Sequence, residues 1–517
     1  MITKRKTYIL LFLILALGLF LRTWNINNTP PGVYPDEAVN GIDAMNALHY
    51  GNWQWFYESN NGREGLMMNL IAVSFHFLGV TIFALKLPNI IFGTLTVLGV
   101  FLLGKELFNS NRVGLISAFL VATAFWSLNF SRMAFRANML PLVLAFSFYF
   151  LWKGVRTKKY WPFVWGGAFF GLGLHTYIAF RIAPLILVVI LVTFMINRRG
   201  FLKEYWKQIL LFVLFTTIVA APMLYTFYKH PEYIQSRTSQ ISVLNPDVNQ
   251  GHLFKALFKT VGLSIIKYSI WGDQNWRQNY PPYAILDPIA GIAFVFGFVY
   301  IVLKFIHLWS LRLYKGERHH RLETYTFLLA WFFIMCIPEF MAYEGNPHAL
   351  RSIGTLPVVF IISALTFEYF FRKSEQYTPL FKKVVNSLLI LMVVVIGVFN
   401  SVKYLVVWAN KPEAAVAFEK NDMDISDHVK TLPADREADI VVQSMQRVPI
   451  QLFNWERPNT NYYYPGEIDQ IDPQTKNFEI IILDHDDDII NTLETKFPNL
   501  KYEEEKDRFG LSYYILK

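Results

Sequence analysis

The chain has 517 residues, 54% of them hydrophobic and 17% aromatic, with a mean hydropathy of +0.30 and a formal net charge of +9. A soluble chain of this length would divide into domains with polar surfaces, so the composition excludes an ordinary soluble enzyme; the single cysteine, Cys336, excludes a disulfide framework or a Cys-based metal site within the chain. The charge is split: residues 410–517 hold 12 Lys and Arg against 22 Asp and Glu, net −10, and residues 1–409 hold 36 against 17, net +19. That basic excess lies in short loops between apolar runs, so it reports membrane orientation and not a nucleic-acid partner.

Apolar runs of about 17–25 residues have the length that crosses a bilayer, and in hydrocarbon such runs must be helical. The first follows Lys4-Arg5-Lys6 and ends at Arg22-Thr23-Trp24-Asn25 with no small-residue cleavage site, which predicts an uncleaved first span with a cytoplasmic N-terminus. Spans are predicted over 7–23, 84–104, 113–130, 138–153, 161–176, 182–197, 207–226, 287–307, 324–342, 353–371 and 383–405, about eleven in all. Basic loops such as Lys153–Lys159, Arg198–Lys203, Arg312–Arg321 and Arg372–Lys383 fall on the cytoplasmic side. The loops 24–83 and 227–286, with turns near 131–137, 176–181 and 343–352, then face outward. The apolar stretch Gly65–Gly79 is too short to span and is predicted to lie along the outer surface; counting it as a span would reverse every later loop. Residues 410–517 change character. Ala438–Ser444 and Phe478–Leu483 read as buried strands, 487–496 as a helix, and Gly510–Leu516 as a strand, which together predict a small soluble α/β domain outside the membrane.

The first outward loop carries Pro35-Asp36-Glu37, where proline and acids suit a helix start. A second acid, Glu64, sits in Asn61-Gly62-Arg63-Glu64-Gly65. Two acids bracketing one loop could serve base catalysis or hold a divalent cation; no other cofactor is indicated. Three further outward turns contain arginine: Arg132 and Arg136 in Phe130–Arg136, Arg181 after His175-Thr176-Tyr177, and Arg351 after Asn346-Pro347-His348. Outward loops are usually poor in arginine, and the guanidinium fork matches phosphate, so convergence on one anionic group is the simplest common role. Headgroup snorkelling is the plain alternative for any one of them. The long loop holds Lys267, Trp271, Asp273, Asn275, Trp276 and Arg277, an aromatic and amide-rich set suited to sugar rings and hydroxyls, or to an ordinary lid. Walker, nucleophile-elbow and HExxH motifs are absent.

The ordered set of an outward Asp-Glu loop, GRE before a surface helix, FSRxxFR, YxxxR and PHxxR resembles the GT-C glycosyltransferases, in the branch of protein O-mannosyltransferases and lipid A aminoarabinose transferases. The resemblance covers roughly residues 7–371. It implies a polytopic helical module over 1–409 that transfers a sugar, with inversion, from a polyprenyl- or dolichyl-phosphate donor to a glycan, lipid or protein acceptor outside the cytoplasm. It further implies Asp36 as general base with Glu37 beside it, and Glu64 on the acceptor or metal side. Arg132, Arg136, Arg181, His348 and Arg351 would serve the donor phosphate. Tyr177, Lys267, Asp273, Asn275 and Arg277 are the candidate sugar or lid contacts. Gly65 stands where related sequences often carry proline, and the 410–517 domain is not part of the shared module. The alternatives are a non-catalytic membrane transporter and a cell-envelope assembly subunit. The polar groups sit at span ends and no internal repeat appears, both unlike a transporter.

Overall fold

The computed structural model describes residues 3–234, 242–473 and 477–517; the stretch 235–241 of the predicted long loop lies outside the described residues. Two compact units emerge. One comprises residues 1–24, 54–67 and 89–404; the other comprises 25–53, 68–88 and 405–517. The 410–517 segment thus shares its unit with residues 25–53 and 68–88, which fall largely in the loop between the first two predicted spans.

The helices in chain order are α1 (Lys4–Thr23), α2 (Pro35–Tyr50), α3 (Leu66–Leu78), α4 (Ile82–Phe108), α5 (Asn111–Thr123), α6 (Phe125–Ser131), α7 (Met139–Thr157), α8 (Tyr160–Leu172), α9 (Pro184–Asn197) and α10 (Phe201–Lys229). After them come α11 (Leu253–Ile266), α12 (Pro288–Tyr314), α13 (His320–Phe340), α14 (Leu356–Ser374) and α15 (Pro379–Val402). Among the described residues nine helices are long and apolar enough to cross a membrane, or ten if the bent pair α5–α6 is one span. The predicted count of about eleven therefore falls by one or two. The predicted span 161–176 is α8, only 13 residues long, followed by a 3₁₀ turn over Gly173–His175. The predicted span 113–130 is broken at Ala124, whose extended backbone turns α6 by 59° from α5. Carbonyls freed at such a break need donors. Arg22, fully buried at the end of α1, supplies them: Nη1 donates to Ala122 O (3.1 Å), and Nη2 to Val121 O (3.4 Å) and Ser127 Oγ (2.8 Å). The apolar helix α3 has 13 residues, too few to cross.

Before α3 in sequence, Phe56–Tyr57 (β1) and Arg63–Glu64 (β2) form a short antiparallel pair in the first unit. In the second unit a five-stranded sheet contains β3 (Glu437–Val441), β4 (Thr460–Tyr463), β5 (Phe478–Ile482), β6 (Tyr502–Lys506) and β7 (Ser512–Leu516), in the order β4-β3-β5-β7-β6. β3 runs parallel to β4 and β5, and β7 runs antiparallel to β5 and β6. Helices α16 (Lys420–Thr431), α17 (Arg447–Phe453) and α18 (Asp487–Lys496) complete it. Ile425, Val429, Ile440, Ile450 and Ile481 form one core cluster, and Ile480, Ile482, Ile490, Leu493 and Leu516 the other. Alternation along β3 and β5 feeds both clusters, as expected for a sheet buried on two sides.

Candidate functional site

Helix α2 belongs to the second unit and starts where the sequence dictates. Tyr34 is an extended N-cap, Pro35 opens the first turn, and Asp36 and Glu37 follow in it, where helix-dipole and capping effects favour acids. Glu37 is fully buried, and its Oε1 accepts the Tyr34 backbone N–H (3.4 Å), which closes the helix start on itself. Asp36 is half-buried. The helix ends at Gly51, whose left-handed backbone (φ +68°) stops it. Two residues overlooked in the sequence lie on the face of Asp36: Asn40 and Asp43, four and seven positions on, are both buried. That spacing was the available signal. Lys86, which the sequence shows only as a charged group near the start of a span, is fully buried near the start of α4, and its Nζ donates to Gly32 O (3.5 Å) in the loop that leads into α2. Gly32 is required there, because a Cβ would stand 2.2 Å from Phe418 O.

In the first unit, Glu64 draws together two arginines from separate turns. Its side chain is almost completely buried; Oε2 lies 2.6 Å from Arg136 Nε and Oε1 lies 3.8 Å from Arg181 Nη2. Arg136 stands 5.7 Å over the Tyr177 ring and Arg181 4.9 Å over Phe227. Arg181 Nη1 also donates to Ile234 O (2.8 Å). Next to this group His175 packs edge-on against Trp55 (5.5 Å), with Nε2 2.9 Å from Val219 O. The cluster carries two guanidinium charges against one carboxylate. Gly65 follows Glu64 because a Cβ would meet the Gln54 carbonyl oxygen at 2.2 Å.

The remaining predicted residues occupy other places. Arg132 is fully buried and donates to Leu21 O and Trp24 O (2.7 Å each), serving the orphan carbonyls at the end of α1. Lys267 forms a wholly buried ion pair with Glu339 and donates to Ser352 Oγ (2.6 Å). Glu339 Oε1 also accepts the His348 N–H (2.9 Å). Asp273 accepts the backbone N–H of Asn275 (2.8 Å) and of Ala349 (2.7 Å). Burial raises its carboxyl to about 7 although both bonds oppose the rise. Asn275 Oδ1 accepts from the Arg277 N–H (3.0 Å), and the Arg277 carbonyl accepts from Asn129 (2.7 Å). Arg351 Nη1 donates to Glu344 O. Lys267, Asp273, Gln278 and His348 thus stitch the end of the 227–286 loop to the turn 346–352. Among the described residues no group of three or more His, Cys, Asp or Glu is placed to hold a metal ion.

Residues 65–225 match the family model described as dolichyl-phosphate-mannose-protein mannosyltransferase. No curated protein matches the sequence. In structure, the chain is similar to ArnT from Cupriavidus metallidurans bound to undecaprenyl phosphate, with TM-score 0.57 and 12% identity over 98% of this chain and 97% of that one. It is also similar to the apo oligosaccharyltransferase of Archaeoglobus fulgidus, with TM-score 0.52 and 14% identity over 98% of this chain and 70% of that one. At such identities the likeness shows the fold: a multi-pass membrane protein of GT-C architecture with a small C-terminal sheet domain.

Proposed function

We propose that this chain, which has the GT-C fold, transfers a sugar from a polyprenyl- or dolichyl-phosphate donor to an acceptor hydroxyl outside the cytoplasm, with inversion at the anomeric carbon. The observation that carries the reading is Glu64 holding Arg136 and Arg181 from two separate turns. Glu64 orients both guanidinium groups, and the surplus positive charge serves the donor phosphate. In the transfer, the acceptor oxygen bonds to the anomeric carbon as the carbon–oxygen bond to phosphate breaks. The electron pair leaves with the lipid phosphate, and the hydroxyl proton passes to the Asp36 carboxylate. Glu37 positions Asp36 by closing the helix start. Arg132 acts through α1, whose last carbonyls it holds. No step above is routed through a metal. The charge pattern of the loops supports a cytoplasmic N-terminus with residues 410–517 on the other side of the membrane.

The test is turnover in proteoliposomes supplied with polyprenyl-phosphate sugars. Asp36→Asn is expected to lower kcat by roughly 10²–10⁴, the usual contribution of a general base. Unchanged turnover in a folded Asp36→Asn protein removes the base assignment.

A further inference from the structure

A cleft of about 590 Å³ at the C-terminal end of α2, wholly within the second unit, takes no part in the reaction above. Its volume falls in the range of small-ligand sites. His49 at the end of α2 and His76 at the end of α3 line one part; Lys430 at the end of α16 and the segment 452–458 line the rest. Trp455 lies nearly parallel to the His49 ring, with centroids 6.1 Å apart and planes 24° from parallel. The pair makes a broad, part-exposed aromatic face of the kind sugar rings stack on.

The electrostatics of the cleft differ from those of the chain segment around it. Residues 410–517 are net −10, yet the cleft carries Lys430 and Arg457 against Glu456. The guanidinium of Arg457 is fixed by the carbonyls of Leu432 (3.0 Å), Pro433 (2.9 Å) and Arg436 (3.2 Å). Lys430 stands 5.4 Å over the Phe453 ring and pairs at the surface with Asp427 (2.9 Å), an exposed contact of small worth. Two lining residues also leave buried polar atoms unserved. Asn454 is 7% exposed; its Nδ2 donates to Ser426 and Ile450, while its Oδ1 has no partner. Arg457 Nε has none either. Buried polar atoms without partners are uncommon and costly, and here two residues along one cleft carry such atoms beneath its surface.

We propose that this cleft binds the non-reacting part of the acceptor, an acidic saccharide chain. One ring lies on the Trp455–His49 face, and a carboxylate lies toward Lys430 and Arg457. Asp36 and His49 lie on one helix thirteen residues apart, about 20 Å by the helical rise, a separation that an oligosaccharide spans and a monosaccharide does not. The inference rests on the transfer reading only for the word acceptor, and binding is therefore measured without turnover.

The experiment uses the full chain in lipid nanodiscs, titrated calorimetrically with tetragalacturonate and, in parallel, with an uncharged glucan tetrasaccharide. Tetragalacturonate is expected to bind at least ten-fold more tightly than the glucan. Lys430→Glu and Trp455→Ala are each expected to weaken it ten-fold or more, and Asp36→Asn to bind it as the wild type does. Equal binding of both saccharides, or binding unaltered in both cleft variants, overturns the proposal. So does displacement of tetragalacturonate when phosphatidylglycerol replaces phosphatidylcholine in the disc, since the occupant is then a lipid headgroup. If Asp36→Asn retains full turnover while the binding pattern holds, the transfer mechanism fails and the saccharide cleft stands.

Discussion

Gly32 tests how the loop that leads into α2 is held. A Cβ on it would stand 2.2 Å from the Phe418 carbonyl oxygen, 3.1 Å from its carbon and 3.2 Å from Lys420 Cα. Non-bonded heavy atoms settle at about 3.5–4.0 Å, so two backbone segments would have to part by roughly 1 Å. Phe418 cannot easily retreat: its side chain is fully buried, and its N–H bonds to Ala414 O (3.1 Å) and Ala415 O (3.3 Å). Gly32→Ala is therefore expected to cost about 1–3 kcal/mol, the usual range for overpacking. Because Gly32 lies four residues before Asp36 and its carbonyl receives Lys86, the displacement reaches the proposed base. Turnover should fall by roughly 10–10² through misplacement of the order of 1 Å, with less change in KM for the donor. Gly262 in α11 supplies the control, since a Cβ there meets nothing within 4 Å; Gly262→Ala should gain up to about 1 kcal/mol from helix propensity. The same chemical change thus moves the thermal unfolding midpoint in opposite directions, by roughly 1 °C per kcal/mol for a chain of 517 residues. The assay is unfolding of the full chain in detergent, with turnover measured on the same preparations. A Gly32→Ala protein that melts at or above the wild-type midpoint with normal turnover refutes the packing argument.

Arg136→Ala and Arg181→Ala should each raise KM for the lipid-phosphate sugar ten-fold or more, and Arg136→Lys should restore little, because a lysine lacks the planar fork that meets Glu64 and phosphate together; parallel donor titrations check this, and unchanged KM values in all three disprove it. For pH, the folded protein keeps a proton on Asp273 up to about 7, whereas the unfolded chain releases it near the ordinary value of 3.8. The stability this group contributes is therefore full below about pH 4 and is lost as pH rises to 7. Asp273→Asn should flatten that part of the stability profile, and an unaltered slope between pH 4 and 7 removes the assignment. Deleting 410–517 should abolish turnover while leaving membrane insertion intact, since α2 packs on α17 at Gly41, where Leu452 would lie 2.4 Å from an added Cβ; a truncated chain with normal turnover would disprove the coupling.

What the sequence shows of this protein is what local composition controls. The apolar runs announce helices because length and hydropathy are properties of one segment. β3 and β5 are legible for the same reason: each is a continuous buried run at the sheet centre. The edge strands β4 and β6 are not, since one reads Thr-Asn-Tyr-Tyr, half-exposed, and the other is mostly charged and exposed; charge on an edge guards it against further pairing and hides it from a hydrophobic pattern. The break at Ala124 escapes for another reason. Its freed carbonyls are served by Arg22, about a hundred residues earlier in the chain.

The same division applies to the candidate site. That Asp36, Glu64, Arg136 and Arg181 fall in loops and turns between apolar runs follows from span order. That Glu64 gathers Arg136 and Arg181 while Arg132 turns to the end of α1 does not follow, because Arg132 and Arg136 sit four residues apart in one turn with no local sign of divergent roles. The tail is the sharper case. Read alone, its charge and strand pattern describe a separate soluble domain. Yet Gly32 fits against Phe418 and Gly41 against Leu452, across nearly four hundred residues of sequence, and in both places a missing Cβ creates the fit. Two glycines flanking the Asp-Glu pair are therefore the marks by which the loop after α1 is matched to the tail. A swap of tails between proteins of this fold should consequently fail unless the segments containing Gly32 and Gly41 are exchanged with it.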